Sequence, residues 1–201
     1  MSAREEVLAL IRAAIATAGD PAHEVPRDYL THTGDGIETF IERLHHYGAL
    51  TRRVPEGELD AGVRAALRDR GVRRVVAPDG VPEAWLEEVE PLRDTPPLDP
   101  HTLDGSDGVI SACAVAIAQT GTIVLDGSAG MGRRILSLVP DYHLCVVRTE
   151  QIVSSVPEAI ARLDPIRPLT FISGPSATVD IEMVRVGGVH GPRRLEVIIA
   201  G

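Results

Sequence analysis

Predicted strands and helices alternate along this 201-residue chain, and the alternation restricts the fold before any motif is considered. Strands are predicted at residues 50–54 and 74–77, with a helix at residues 56–69 between them. Two strands joined through a helix lie parallel in one sheet, because the helix carries the chain back across the sheet. The sequence therefore predicts an α/β fold in which a mostly parallel sheet forms the middle of three layers.

The first residues form an extension that precedes this domain. Residues 2–18 carry apolar side chains along one side of a helical pattern, and Gly19, Asp20 and Pro21 end it. We predict an N-terminal helix and linker over residues 1–34 and one domain over residues 35–201. Within the domain we also predict helices at residues 36–47, 82–88 and 157–163, a helical turn at residues 135–139, strands at residues 143–147, 169–172 and 195–200, and an acidic, proline-rich connection at residues 90–100.

Charge and composition exclude several classes of function. The formal net charge is −9, with 20 basic and 29 acidic side chains, and no basic stripe exists to bind nucleic acid. Every basic residue other than histidine is arginine, which excludes Schiff-base and P-loop lysine chemistry. No apolar run is long enough to span a membrane, and the acidic N-terminus is unlike a signal peptide. We expect a cytoplasmic protein.

The two cysteines are spaced so that this chain cannot hold a metal centre with its own thiols. Cys113 and Cys145 each lie within an apolar run and form no Cys-x-x-Cys pair. Such isolated thiols cannot supply the ligands of an iron–sulfur cluster or of a structural zinc ion. We predict that both are buried and reduced, and that this chain binds no metal.

A polar interruption divides the apolar segment between residues 109 and 125. We predict two strands, at residues 115–118 and 122–125, joined by a turn at Gln119, Thr120 and Gly121. The competing interpretation is a helix over residues 106–118. Both remain compatible with the sequence alone.

Four glycine-rich or hydroxyl-rich loops are candidates for one shared anion site. They comprise residues 119–121, 127–134, 173–178 and 187–192, and three of them follow an apolar strand-like run. Ligands gather beyond the carboxyl ends of strands in open parallel sheets, and glycine lets backbone N–H groups approach an anion. A helix that begins after Pro175 would add its positive end. The candidate binding residues are Gln119, Thr120, Gly121, Thr122, Arg133, Arg134, Ser173, Gly174, Ser176, Thr178, Asp180, Glu182, His190 and Gly191. The same loop residues are equally compatible with ordinary turns and helix caps.

Three ordered motifs resemble one known family. They are Ser-Gly-Pro-Ser-Ala-Thr-Val-Asp-Ile-Glu at residues 173–182, Gly-Val-His-Gly-Pro at residues 188–192, and Ala-Ile-Ala-Gln-Thr-Gly-Thr at residues 116–122. Together they resemble the LUD domain of the lactate utilization protein C family, over residues 35–201. The resemblance implies a fold similar to the NagB/RpiA/CoA-transferase group and a role in L-lactate oxidation. It also implies partner subunits that carry iron–sulfur clusters, and a small carboxylate or phosphate as ligand.

One position departs from the family pattern. The family usually has an acidic residue where this chain has Gln119. An amide can orient a ligand but cannot exchange a proton at neutral pH, so a proton-transfer role for that position is in doubt here.

Three functions compete at this point. The first is a subunit of an iron–sulfur-dependent system that oxidises L-lactate to pyruvate, with the redox centres on partner chains. The second is a stand-alone enzyme of the same fold group that acts on a phosphosugar or an acyl-CoA. The third is a non-catalytic binding or regulatory module. The catalytic residues are not identified by the sequence, since it contains no Gly-x-Ser-x-Gly motif and no nucleophile beside a histidine.

Overall fold

The structure is a computed structural model that describes residues 2–17, 26, 28, 30–178, 186–187 and 191–201. Contacts divide the chain into two compact units, Met1–Leu30 and Thr31–Gly201. The described helices are α1 (Ala3–Thr17), α2 (Ile37–His46), α3 (Leu59–Asp69), α4 (Pro100–Asp104) and α5 (Val156–Arg162). The described strands are β1 (Leu50–Val54), β2 (Arg74–Ala77), β3 (Glu90–Arg93), β4 (Gly108–Ser111), β5 (Val115–Ile117), β6 (Thr122–Leu125), β7 (Tyr142–Arg148), β8 (Ile152–Val153), β9 (Thr170–Ile172), β10 (Ala177–Thr178), β11 (Val186–Gly187) and β12 (Arg194–Ala200).

The first unit contains the predicted N-terminal helix. Helix α1 has acidic Glu5 and Glu6 in its first turn, where the positive end of the helix dipole favours them. None of its side chains is buried, and its apolar residues Val7, Leu10 and Ile15 are all exposed. The predicted boundary between an extension at residues 1–34 and a domain at residues 35–201 stays a prediction. The second compact unit of the structure begins at Thr31.

A six-stranded parallel sheet organises the second unit. Its strand order is β1-β12-β7-β4-β2-β3, and every neighbouring pair is parallel. Strands β7 and β12 pair over their full lengths, from Tyr142 with Arg194 to Arg148 with Ala200, and all but the ends of both strands are buried. Such continuous burial is typical of a parallel sheet that is covered on both faces. The predicted α/β fold with a mostly parallel sheet is confirmed.

A smaller sheet lies against one face of the first. Its order is β8-β5-β6-β9, in which β5 and β6 form an antiparallel hairpin and β9 pairs antiparallel with β6. The predicted hairpin is therefore confirmed. The competing helix over residues 106–118 is wrong, because residues 108–111 form β4 and residues 115–117 form β5.

Helix α3 covers the other face of the parallel sheet. Its buried residues Leu59, Val63, Ala66 and Leu67 recur at helical spacing, and they pack against apolar residues of β2, β4, β7 and β12. The helix ends before Gly71, whose φ of 68° is the left-handed conformation that glycine adopts readily. The α3 face thus forms one outer layer of the domain.

The second core lies between the two sheets. It joins Phe40 and Leu44 of α2 to the inward faces of both sheets, including Ile123, Val147 and Ile199. The outward face of the small sheet packs on α5. Ser155 caps α5 by accepting a hydrogen bond from the Glu158 N–H at 3.3 Å, and this places the helix against β5.

Some predicted elements differ from the observed ones. The acidic connection predicted at residues 90–100 contains edge strand β3 and runs into α4. Pro91 is tolerated in β3 because that strand pairs on one side only. The helix predicted at residues 82–88 is a single 3₁₀ turn at Glu83–Trp85. The helical turn predicted at residues 135–139 is observed as a 3₁₀ turn at Arg134–Ser137. The chain after Pro175 enters strand β10, so within the described part of the chain the helix predicted after Pro175 is not formed. None of the described helices is long and apolar enough to cross a membrane.

Candidate functional site

A cleft of about 330 Å³ opens beside the loop that follows β9. We call it the Ser173 cleft. Its polar lining includes Arg134, Ser137, His143, Thr170, Ser173 and Ser176. Apolar contact is supplied by Leu138 and Leu195 among others, and Gly191 and Pro192 also line the cleft. A volume of roughly 300–1,000 Å³ with a few convergent polar groups is typical of a small-molecule site.

Hydroxyl groups connect the β5–β6 hairpin to this cleft. Strands β6 and β9 pair with Ile123 opposite Ile172, which places the neighbouring Thr122 beside Ser173. The Oγ1 of Thr122 lies 2.7 Å from the Ser173 Oγ and 2.7 Å from the Thr120 Oγ1. Two of the motifs quoted above thus meet through side-chain hydrogen bonds. The sheet register is the physical cause of that meeting.

The loop after β9 needs glycine at one position. Gly174 has a φ of 104°, and a Cβ at this residue would lie 2.5 Å from the Cβ of Tyr47. Any larger residue therefore has to strain the backbone and displace Tyr47. The Ser176 N–H donates to the Pro192 carbonyl at 2.8 Å. This bond holds the first motif beside the start of β12.

Arg134 supplies a positive charge that is not neutralised by the described residues. Its side chain is exposed at the cleft and forms no ion pair with the residues that the structure describes. Arg133 differs, because its guanidinium donates to Asp94 at 2.6 and 2.8 Å and to the Leu98 carbonyl. Hydrogen bonding to Arg133 lowers the pKa of Asp94. Arg134 thus lines the cleft, whereas the Arg133 side chain is bound to Asp94 and to the Leu98 carbonyl outside it.

His143 is a cleft residue that the sequence did not single out as functional. It lies near the start of β7, is 1% exposed, and its Nε2 lies 2.8 Å from the Ser111 Oγ at the end of β4. Burial lowers the pKa of His143 to about 4, so the ring is neutral at physiological pH. No local signal could have revealed this pair, because 32 positions separate the two residues and the parallel pairing of β4 with β7 joins them.

The other predicted site residues that the structure describes belong to the hairpin turn and to β10. Gln119 is exposed at the hairpin turn, where its N–H donates to the Ser154 carbonyl. Gly121 packs against Arg43 of α2. Thr178 belongs to β10. Asp180, Glu182 and His190 lie outside the described residues, so the structure neither brings them to the cleft nor separates them from it.

The cleft is not at the carboxyl edge of the parallel sheet, where the sequence placed it. The loops at residues 119–121, 127–134 and 173–178 follow β5, β6 and β9, which all belong to the small sheet. On the parallel sheet, the cleft contacts His143 and Leu195, near the amino ends of β7 and β12. The expectation was wrong because the sequence could not assign these strands to a second sheet.

The thiols do not match the chemistry of metal ligands. Cys113 and Cys145 are 2% and 0% exposed. Burial raises the pKa of Cys145 to about 12, and burial also raises the pKa of Cys113 well above the ordinary value. Both thiols are therefore held neutral in the core between the sheets. Among the described residues, no cluster of three or more histidine, cysteine or acidic side chains could hold a metal ion.

Comparisons with known proteins agree with the motifs. The LUD domain model matches residues 101–200. Lactate utilization protein C of Deinococcus radiodurans is 46% identical over 207 residues, which cover 99% of this chain and 96% of that protein. An uncharacterized protein of Neisseria meningitidis serogroup B is 28% identical over 221 residues, covering 98% and 93% of the two chains. The crystal structure of a DUF162 family protein from Deinococcus radiodurans has a TM-score of 0.69 at 44% identity, covering 82% of this chain and 95% of that one.

These matches confirm the resemblance that the three motifs indicated. Identity of 46% extends over almost the whole of both chains, and the fold agrees with a solved structure of similar sequence. The protein therefore belongs to the lactate utilization protein C family, and its residues 101–200 correspond to the LUD domain.

Proposed function

We propose that this chain is a cytoplasmic subunit of a system that oxidises L-lactate to pyruvate. In this proposal it binds a small carboxylate in the Ser173 cleft, and partner subunits with iron–sulfur clusters accept the electrons. The name of the Deinococcus radiodurans relative supports a role in lactate utilization. The contribution of the cleft is argued from its own side chains.

The observation that carries the proposal is the guanidinium of Arg134, which forms no ion pair with the described residues and lies beside the hydroxyl-rich loop after β9. Guanidinium groups match the planar geometry of a carboxylate and bind it through paired hydrogen bonds. Ser173 can add a hydroxyl donor when it accepts the hydrogen bond from Thr122, since either hydroxyl can be the donor of that bond. An anion of lactate size therefore has both a charge partner and hydrogen-bond donors within the cleft.

The thiols support a place for the electron carrier on other subunits. Iron–sulfur clusters require thiolate ligands, whereas burial keeps Cys113 and Cys145 protonated. The two thiols of this chain therefore do not fit a cluster. This supports placement of the clusters on other subunits.

Arg134→Gln tests the carboxylate site. We expect L-lactate and pyruvate to bind the wild-type chain in calorimetric titrations, and we expect the variant to bind them at least about tenfold more weakly, because a charge-assisted hydrogen bond contributes roughly 1.5–3 kcal/mol. Arg73→Gln is the matched control, since Arg73 is exposed, forms no ion pair with the described residues and does not line the cleft. Equal affinities of the two variants for lactate would contradict the site.

The role in the cell has a separate test. Deletion of the gene should abolish growth on L-lactate as sole carbon source, and the wild-type chain should restore it. The Arg73→Gln chain should restore growth as well, and the Arg134→Gln chain should not. Undiminished growth of the deletion strain would refute the role in lactate oxidation. Turnover of a phosphosugar or an acyl-CoA by the purified chain would favour the stand-alone enzyme.

A further inference from the structure

A buried histidine lines the Ser173 cleft, and one of its ring nitrogens has no hydrogen-bond partner among the described residues. His143 is 1% exposed, and its Nε2 is occupied by the Ser111 hydroxyl at 2.8 Å. Its Nδ1 has no hydrogen-bond partner among the described residues. Those residues contain no fully buried side-chain nitrogen or oxygen without a partner, so Nδ1 reaches the surface of the cleft that His143 lines.

The Ser111 hydroxyl decides which ring nitrogen carries the proton. If Nε2–H donated to Ser111, the buried hydroxyl proton would need another acceptor, and an unpaired buried donor is strongly disfavoured. The sulfur of Cys145 is close enough to interact with Ser111, but a thiol sulfur is a weak acceptor. Nitrogen Nε2 is the stronger acceptor, so the hydroxyl donates to it and the ring proton resides on Nδ1.

We propose that the Ser111–His143 pair is a carboxylate-binding device, in which Ser111 holds the imidazole in the tautomer that presents Nδ1–H to a ligand in the Ser173 cleft. The proposal deepens the proposed function, on which it rests for the choice of cleft and ligand class. Arg134 supplies the charge, and His143 supplies a neutral, directional donor at the lining of the cleft. In this arrangement His143 touches the ligand and Ser111 is a positioning residue.

A neutral donor suits this position better than a charged one. The ring is enclosed between the two sheets, beside apolar residues such as Leu195, where an imidazolium would lose its hydration. Burial accordingly lowers the pKa of His143 to about 4. The ring can therefore bind a carboxylate without first taking up a proton.

Nitrogen-15 NMR of the full chain measures the tautomer directly. The protein contains seven histidines, and the His143 signals are identified by their loss in His143→Phe. At pH 7 we expect the Nδ1–H tautomer, and we expect its signals to shift upon addition of sodium L-lactate or sodium acetate. The proposal would be overturned by the wild-type protein alone if its His143 ring carried the proton on Nε2, or if the His143 signals did not shift with either carboxylate.

Binding affinities test the roles of the two residues. His143→Phe should weaken acetate and lactate binding roughly tenfold. Ser111→Ala should convert the ring to a mixture of tautomers and weaken binding by a smaller factor. Ser106→Ala is the control, because Ser106 is also a largely buried serine, and its hydroxyl donates to the Leu103 carbonyl away from the cleft. A Ser111→Ala protein that keeps the Nδ1–H tautomer would refute the positioning role.

These measurements separate the two proposals. Normal growth of the deletion strain on lactate, together with carboxylate-dependent His143 signals, would reject the cellular role and retain the binding device. A growth defect of the deletion strain, together with His143 signals that do not respond to carboxylates, would retain the cellular role and reject the binding device.

Discussion

Two buried polar side chains of the parallel sheet have very different hydrogen-bond partners. Glu196 in β12 is 2% exposed and accepts hydrogen bonds from Arg70 at 2.8 Å, Arg52 at 3.3 Å and the Tyr142 hydroxyl at 3.2 Å. His143, one strand away, has a single hydroxyl partner. Two guanidiniums can compensate a buried carboxylate for lost hydration, whereas one hydroxyl cannot compensate an imidazolium. The two sites therefore differ in the number and charge of their partners, although both side chains are almost fully buried.

Glu196→Ala should destabilise the domain by roughly 2–4 kcal/mol. Loss of one partner of a buried ion pair costs roughly 3–5 kcal/mol, and the estimate is lowered because the arginine side chains are each 32% exposed. Urea unfolding at pH 7 measures the change. Glu90→Ala removes an exposed carboxylate whose ion pair with Arg74 spans 3.6 Å, and it should change stability by less than about 1 kcal/mol. Equal effects of the two variants would show that the Glu196 network is not stabilising.

His143 should make the domain lose stability as the pH falls. Its pKa is about 4 in the folded chain against an ordinary value of 6.5, so below pH 6.5 the unfolded chain binds a proton that the folded chain does not. The free energy of unfolding should drop by about 2 kcal/mol between pH 7 and pH 5 from this residue. Urea titrations of the wild type and of His143→Gln at both pH values isolate this contribution, because glutamine does not titrate. Identical pH dependence in the two proteins would contradict the buried, neutral assignment.

The sequence indicated those cleft residues that stand together in one motif, and it did not indicate those that strand pairing brings to the cleft. Ser173, Gly174 and Ser176 line the cleft as a contiguous motif with small and hydroxyl side chains, which a sequence displays directly. The contact of His143 with Ser111 could be identified only from the structure, because the pairing of β4 with β7 creates it. Arg133 and Arg134 are indistinguishable in sequence, and they are separated in space because Asp94 pairs with only one of them.

The predicted secondary structure succeeded where one periodic pattern dominated. Strands β1 and β2 have the predicted bounds, and the helix predicted at residues 56–69 is observed as a 3₁₀ turn followed by α3. Strand β3 was not predicted because its segment is rich in proline and acidic residues. The strand can still form because it lies at the edge of the sheet and pairs on one side only. The second sheet was not predicted, since pairing of β5 with β8 and of β6 with β9 is set by tertiary contacts.

The hairpin turn between β5 and β6 should distinguish a tolerant position from a restricted one. Gln119 is exposed, and only its backbone N–H is used in the turn, so Gln119→Glu should change stability by less than about 0.5 kcal/mol. Gly121 has a φ of 61°, and an added Cβ would lie 2.5 Å from the Arg43 Cβ. We therefore expect Gly121→Ala to cost roughly 1–3 kcal/mol. Thermal unfolding of both variants compares them, and a destabilised Gln119→Glu chain would contradict the described turn.

The two sheets of the residue 31–201 unit together define the cleft. The core between them includes Phe40, Ile123 and Ile199, and it fixes the small sheet against the large one. The cleft opens where the loop after β9 meets the amino ends of β7 and β12. Its walls therefore come from both sheets, and its shape depends on the packing between them. The fold class could be predicted from the alternation of strands and helices along the sequence. The position of the cleft between the two sheets could not, because it depends on the strand order of each sheet.

The purified chain should not oxidise L-lactate by itself. Conversion of lactate to pyruvate removes two electrons, and amino-acid side chains provide no acceptor for them, so a cofactor has to be supplied. The residues at the cleft are an arginine, a histidine, hydroxyls and apolar groups, which bind and orient a carboxylate but store no electrons. The two thiols are buried and neutral. We therefore expect the cofactor-free chain to bind lactate without reducing a dye.

Reconstitution supplies the decisive comparison. Addition of iron–sulfur subunits from the same lactate system should produce lactate-dependent dye reduction, and the rate should fall at least about tenfold with Arg134→Gln at subsaturating lactate, because that change weakens binding. Arg73→Gln should retain the wild-type rate. Dye reduction by the cofactor-free chain alone would place the electron acceptor in this chain and reject the division of labour. A rate that is insensitive to Arg134 in the reconstituted system would instead place the lactate site on a partner subunit.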